Sequence, residues 1–328
     1  MSQRSKQSTA EPKKVKPRKL PTPRPEPVDA LVYPRFSGIT TFMRLPHIPR
    51  PEELDIALIG IPFDGGTTYR SGPRFGPRSV REQSAIIRPW NPVLNVNPFS
   101  QWRIADYGDL SINPLSLDET YARITSQLNE VADAGARAIC VGGDHSILLP
   151  ILRAVHRKHG PVALVQFDAH NDTWAGYFGS PNSHGTPVRR AVEEGLLLQG
   201  SVLQVGLRGQ VYSKDDFEFG SQHKFNVITA EQFHRQGLAP VEKVLRRFRG
   251  QPLYFTLDID AVDPAFAPGT GTPQVGGFSS FQILELVRAL KGHSLVGADL
   301  VEVSPSYDNG NITSLLAANL LYEMLCVF

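Results

Sequence analysis

A chain of 328 residues with 41% hydrophobic and 20% charged residues has ordinary globular composition, enough for one large α/β domain or two smaller ones. Its net charge is +2, and its two cysteines, Cys140 and Cys326, lie far apart in apolar contexts; this excludes a disulfide framework and a CxxC metal site and points to a reducing, cytoplasmic setting. No apolar run approaches the roughly 18 residues that a bilayer span needs, and the N-terminus lacks the apolar core of a secretory signal, so neither membrane insertion nor secretion is expected.

The charge is uneven. Residues 1–28 carry eight Lys or Arg against Glu11 and Glu26, together with six prolines. Such a segment cannot bury enough apolar surface to offset its ordering entropy, so residues 1–29 are expected to form a disordered basic tail. The other 300 residues carry −4. A role in binding nucleic acid would rest on the tail alone and is not expected.

From residue 55 onward, short apolar stretches alternate with amphipathic ones. The stretches DIALIGIP and RIADYGDL predict strands, and residues 117–135 predict a helix with Asp118 near its start and Gly135 past its end. ARAICVGG is a strand and SILLPILRAVHRKHG a helix stopped by glycine. VALVQF, SVLQVGL, FNVIT and PLYFTLD predict further strands, with helices over 187–195, 239–249 and 279–290. SLVGADLVEV is the last strand and ITSLLAANLLYEML a closing helix. This alternation predicts a parallel sheet covered on both faces, in a single domain over residues 30–328, with its site at the carboxyl ends of strands.

Three predicted strand ends carry ionisable clusters. After CVGG come Asp144 and His145; after VALVQF come Asp168, His170 and Asp172; after PLYFT come Asp258 and Asp260. If the chain stays extended, side chains at i, i+2 and i+4 share one side, and such a crowd of acids calls for positive charge among them. Asp144 also suits a helix cap, and Asp263 before Pro264 suits a turn. Four carboxylates and two histidines, His145, Asp168, His170, Asp172, Asp258 and Asp260, exceed the needs of one cation and suit two divalent ions sharing bridging carboxylates. Mixed oxygen and nitrogen donors without thiolate suit Mn²⁺, with other first-row ions open, since raw affinity would favour Ni²⁺ or Co²⁺.

The motifs GGDHS, FDAHND, LDIDAVDPAFAPGTGTP and DLVEVSPSYD resemble those of the ureohydrolases, the family of arginases, agmatinases and guanidino-acid hydrolases. PRFSGITTFMRLPH, RSGPRFGPRSVR and NITSLLAANLLYEML resemble most the guanidinobutyrase and guanidinopropionase branch, and the resemblance covers about residues 34–328. It implies a three-layer α/β/α fold around an eight-stranded parallel sheet, a binuclear centre, and trimers or hexamers. It also implies one ion on His145, Asp172 and the bridging Asp168 and Asp258, and another on His170, Asp260 and the same bridges. The implied reaction is hydrolysis of a guanidino compound to urea and an amine or ammonia, with Asp260 relaying a proton.

The same resemblance gives Glu302 the substrate guanidinium and His184 a proton-shuttling or orienting role. Trp174 and Tyr177, in the loop TWAGYFGSPNS, are expected to shape the substrate cavity. That loop holds no Lys or Arg, so a substrate carboxylate would need Arg189, Arg190, Arg208 or a neighbouring subunit. Gln274 stands where relatives of this branch carry glutamate. His156, His159, His223, His234 and His293 are expected to be solvated. Two other readings stay open: a non-catalytic paralogous subunit of a hetero-oligomer, and an amidine hydrolase of the formiminoglutamate type.

Overall fold

The computed structural model describes residues 24–328. The expected tail lies outside them except for residues 24–29, which run without regular structure until the Val28 amide donates to the Arg44 carbonyl at 3.1 Å. Eight strands follow: β1 (Ile56–Ile61), β2 (Ile104–Asp109), β3 (Arg137–Gly142), β4 (Val162–Phe167), β5 (Leu197–Val205), β6 (Asn226–Ile228), β7 (Pro252–Asp258) and β8 (Ser294–Val301). They pair in the order β2-β1-β3-β8-β7-β4-β5-β6, and every pairing is parallel.

A parallel sheet needs cover on both faces, and the period of two along each strand supplies it. Leu58, Ile139, Val165 and Phe255 belong to one buried cluster, closed by helices Ala239–Leu245, Ser280–Arg288 and Ile312–Val327. Ile59, Cys140, Leu164 and Tyr254 belong to the other, closed by helices Leu117–Asp133, Leu148–His159 and Pro187–Glu193. The layers are therefore α/β/α, as expected. Cys140 and Cys326 are buried and free, and no helix of the described residues is long and apolar enough to cross a membrane.

Every predicted strand forms, within a few residues. Short helices at Gly76–Gln83, Pro98–Gln101, Glu218–Gln222 and Ala230–Gln236 were not expected. The first two start on proline-containing turns, Gly-Pro and Asn-Pro, that punctuate the sequence as loops, although proline suits the first helical turn equally well.

Four adjacent central strands, β3, β8, β7 and β4, end at the same edge of the sheet. Gly143, just past β3, ties the ends of β1 and β8 to it. Its N–H donates to Ile61 O at 2.8 Å and its carbonyl accepts from the Glu302 N–H at 2.8 Å. A Cβ at position 143 would lie 1.5 Å from the Phe63 carbonyl oxygen, so only glycine fits. Gly143→Ala must separate β1 from β3, and chemical denaturation of the variant should show a loss of about 3 kcal/mol or more; an unchanged unfolding midpoint would contradict this packing.

Candidate metal centre

The cluster assembles from the loops that follow those four strands. Its convergence does not come from extended chain, as the i, i+2 spacing suggested. β4 stops at Phe167, the Asp168 side chain accepts from the His170 N–H at 2.7 Å, and Asp172 adopts φ +55°. β7 stops at Asp258, whose side chain accepts from the Asp260 N–H at 2.8 Å as a short 3₁₀ turn begins. Both are Asx turns, in which the first aspartate bonds its own backbone two residues on.

The side chains do converge. His145 Nδ1 stands 3.1 Å from Asp168 Oδ2, 2.8 Å from Asp172 Oδ2 and 3.4 Å from Asp258 Oδ2. His170 Nδ1 stands 3.0 Å from Asp260 Oδ2 and 3.6 Å from Asp168 Oδ1. Two triads have donor atoms within 4.8 Å of one another, His145–Asp168–Asp258 and Asp168–His170–Asp260, and Asp168 is common to both. Asp172 joins the His145 side.

Burial makes this crowd expensive unless positive charge sits in it. Desolvation, then the Asp168 charge, pushes Asp172 up to about 6. Desolvation, Asp260 and Asp168 together push Asp258 well above the carboxylate range. His145 and His170 lose proton affinity to burial but gain more from the neighbouring carboxylates, and both end well above the usual imidazole value. His145 Nδ1 is buried and makes no hydrogen bond among the described residues. Its other nitrogen, Nε2, meets Thr256 Oγ1 at 2.8 Å, and Thr256 donates to Asp299, which also accepts from the Tyr254 hydroxyl. That chain keeps the Nε2 proton in place and points Nδ1 at the carboxylates. An oxygen- and nitrogen-donor set with no thiolate, and an orphaned imidazole nitrogen aimed into it, fits divalent cations.

Glu302 lies beside the cluster at the end of β8, 1% exposed, with φ +63°. Its Oε1 accepts from the His145 N–H at 3.0 Å and from His184 Nδ1 at 2.9 Å. Its Oε2 is buried and has no partner among the described residues. The Thr68 N–H donates to His184 Nε2 at 3.1 Å, which requires a lone pair there and therefore a proton on Nδ1, facing Glu302. Burial and the Thr68 N–H oppose a second proton on His184, whereas the Glu302 hydrogen bond and charge favour it.

A cavity of about 750 Å³ opens over the cluster. Trp174 and Tyr177 form one wall, their rings 5.7 Å apart edge to face, and Tyr212 extends it. A Cβ on Gly185 would lie 3.0 Å from both the Trp174 and Tyr177 rings, so glycine after His184 lets the wall close in. Gln274 lies at the rim.

The three arginines offered for a substrate carboxylate are committed elsewhere. Arg189 bonds Glu193 and the Thr173 carbonyl, and Arg190 bonds Glu193. Arg208 clamps loops together by donating to the carbonyls of Gly206, Asp260, Ala261, Gln274 and Val275. Instead Arg70, which sequence reasoning passed over, is the only Lys or Arg among the described residues that line the cavity. Its guanidinium stacks on Tyr307 at 4.9 Å and Tyr69 at 5.3 Å. Thr256 was detectable by period two, on the side of β7 shared with Asp258; Arg70 had no local signal. Asp144 caps as expected, bonding the Ser146 and Gly66 amides, and Asp263 forms its turn. His293 is not solvated: it is half-buried, with its ring nitrogens on the Leu290 and Leu245 carbonyls.

A three-layer parallel α/β fold with an acid–imidazole cluster at its carboxyl edge offers a donor set for divalent metal ions. Residues 54–326 match the arginase family, and the chain belongs to it. It is 47% identical over 306 residues to guanidinobutyrase of Pseudomonas aeruginosa and 48% identical over 305 residues to guanidinopropionase of the same organism, each alignment covering 92% of this chain and 96% of the relative. Among solved structures it is similar to proclavaminate amidino hydrolase from Streptomyces clavuligerus, with a TM-score of 0.85 and 40% identity, covering 90% of this chain and 100% of that one. The chain is thus a ureohydrolase, of a family with binuclear metal-dependent chemistry.

If Arg208 is a clamp and not a substrate cation, Arg208→Met should lower the unfolding free energy by roughly 2–4 kcal/mol through stranded carbonyls. Unchanged stability with a raised KM for substrate would reverse that assignment.

Proposed function

We propose that the chain hydrolyses a guanidino acid to urea and an amine, using two divalent ions held by the six predicted side chains. The observation that carries the proposal is Glu302 Oε2, a buried carboxylate oxygen left unpaired beside the cluster. A guanidinium is a permanent planar cation whose forked donors match a carboxylate, so this oxygen orients the substrate carbon toward the ions. When bound, the ion pair supplies Lewis acidity and a water ionised near neutral pH.

The protein's residues do the rest. His145 and Asp172 would hold one ion and His170 and Asp260 the other, with Asp168 and Asp258 shared between them. His184, bridging Thr68 and Glu302, fixes the Glu302 carboxylate so that Oε2 faces the substrate. Asp260, with Oδ2 toward His170 and Oδ1 on the Ala169 amide, is placed to pass a proton to the departing nitrogen. Trp174 and Tyr177 exclude water from one side and pack on the substrate's alkyl chain. Arg70 offers a charge for a carboxylate tail, whereas the acids lining the cavity, Asp172 and Asp258, belong to the cluster and leave no separate partner for an ammonium tail. Mn²⁺ suits the donor set best, with Ni²⁺ second. Leu31, Phe36 and Ile39 are 88–95% exposed, which supports burial against further copies in a homo-oligomer; a cytoplasmic location suits the free cysteines.

Urea release should be measured for guanidine, guanidinoacetate, guanidinopropionate, guanidinobutyrate, agmatine and arginine, with Mn²⁺ and with Ni²⁺. The guanidino acids should exceed agmatine at least about tenfold in kcat/KM, roughly 1.4 kcal/mol. Formamide from a formimino substrate, without urea from any of these, would favour amidine hydrolysis instead. Asp258→Asn should remove bound metal and activity together. Glu302→Gln should retain metal while losing about 100-fold or more in kcat; full activity in that variant would remove Glu302 from its role.

A further inference from the structure

Behind the carboxylates lies a pair of glutamines that the chemistry above does not use. Gln166 and Gln204 are register partners on β4 and β5, and they are 0% and 1% exposed. Gln166 interrupts an otherwise apolar, fully buried strand. A primary amide in such a place is tolerated only when its donors and acceptor are bonded.

The orientation of both amides follows from what their neighbours can accept. The Asn171 backbone carbonyl can only accept, and the Gln204 terminal nitrogen donates to it at 2.8 Å. The same NH₂ group donates to Gln166 Oε1 at 2.7 Å. Gln166 therefore turns its own NH₂ the other way, donating to Asp168 Oδ2 at 2.7 Å and to Asp172 Oδ2 at 3.4 Å. Carboxylates also only accept, so both ends of the chain demand one arrangement. Those two oxygens are the ones facing His145 Nδ1, at 3.1 and 2.8 Å. The Asp168 oxygen on the His170 side is Oδ1, which Gln166 does not touch.

We propose that Gln166, locked by Gln204, is a positioning residue for the ion site on the His145 side and not for its neighbour. Two anionic oxygens drawn to one imidazole nitrogen repel each other. A single NH₂ group donating to both holds them together and offsets part of their charge, so that both converge on one cation. Without Gln204 the Gln166 amide is free to flip, and its carbonyl would then face the carboxylates and push them apart. Outer hydrogen-bond partners of this kind orient metal ligands, and their loss costs about 10–100-fold in affinity.

The inference rests on the two-ion reading, and titration of the metal-free full-length chain with Mn²⁺ separates the two. Calorimetry gives the binding steps and electron paramagnetic resonance reports whether the ions are spin-coupled. The wild type should bind two ions per chain with a coupled signal. In Gln166→Leu one step should weaken about 10–100-fold while the other stays within about threefold, and isolated Mn²⁺ should be seen at concentrations that saturate the wild type. Gln204→Leu, which cannot donate to Gln166, should weaken the same step. Combining it with Gln166→Leu should add nothing further, because both act through one amide.

Unaltered binding in Gln166→Leu, with two coupled ions in the wild type, would overturn this inference alone. Equal weakening of both steps, with a lower melting temperature of the metal-free chain, would also overturn it and leave the pair a packing element. A wild type that binds fewer than two ions would overturn the two-ion reading itself, and this inference with it.

Discussion

The site depends on burying carboxylates without losing their hold on position, and backbone amides at the strand ends solve this. Asp168, Asp258, Asp260 and Glu302 each commit one oxygen to a main-chain N–H: those of His170, Asp260, Ala169 and His145 respectively. The second oxygen of each is thereby aimed away from the backbone. For the three aspartates it faces an imidazole nitrogen, and for Glu302 it has no partner among the described residues. A hydrogen bond to an amide offsets part of the desolvation cost and fixes the carboxyl plane. Since the amides belong to the ends of a rigid parallel sheet, the free oxygens inherit that rigidity.

This arrangement explains why the four relevant strands are adjacent. β3, β8, β7 and β4 lie side by side, although the chain visits them in the order β3, β4, β7, β8. Strands seventh and eighth in sequence insert between the third and fourth, bringing segments more than 150 residues apart within one hydrogen bond of each other. The His145 N–H to Glu302 Oε1 contact is the clearest case, spanning 157 residues. Ligands at the carboxyl edge of an open α/β sheet are a general consequence of this architecture.

Much of this could be seen in the chain itself, and the part that could not has a physical cause. Strands such as VALVQF and PLYFTLD announce themselves by short, apolar, β-branched or aromatic composition, and their bounds match the structure to the residue. The candidate ligands were visible because each pairs an acid or imidazole with the end of such a strand. The reason offered for their convergence, continued extension, was wrong, since Asx turns and a left-handed Asp172 do that work. Local spacing cannot distinguish the two, because both place residues i and i+2 near one another. That Arg208 meets carbonyls while Arg70 lines the cavity was not legible either, for a related reason. Whether an arginine meets carbonyls or a cavity depends on loops 50 to 60 residues away, as with Arg208 and Asp260.

Glu302 shows how far the fold goes to keep one side chain in place. A glutamate at φ +63° occupies a region that L-residues visit at a cost of order 1–3 kcal/mol. An extended backbone at the end of β8 would carry the side chain on along the strand direction. The left-handed turn lets Glu302 donate its own N–H to Gly143 while its carboxylate reaches the His145 amide. Both contacts are to the loop that bears a cluster histidine, so the strained residue and that histidine are fixed by the same few atoms. Asp172, an acid of the cluster itself, is also at positive φ, two residues after His170. Strain at these two positions is the cost of directing charges inward from chain ends that would otherwise lead out to solvent, and it is tolerated because the surrounding strands determine the backbone more strongly than the local preference does.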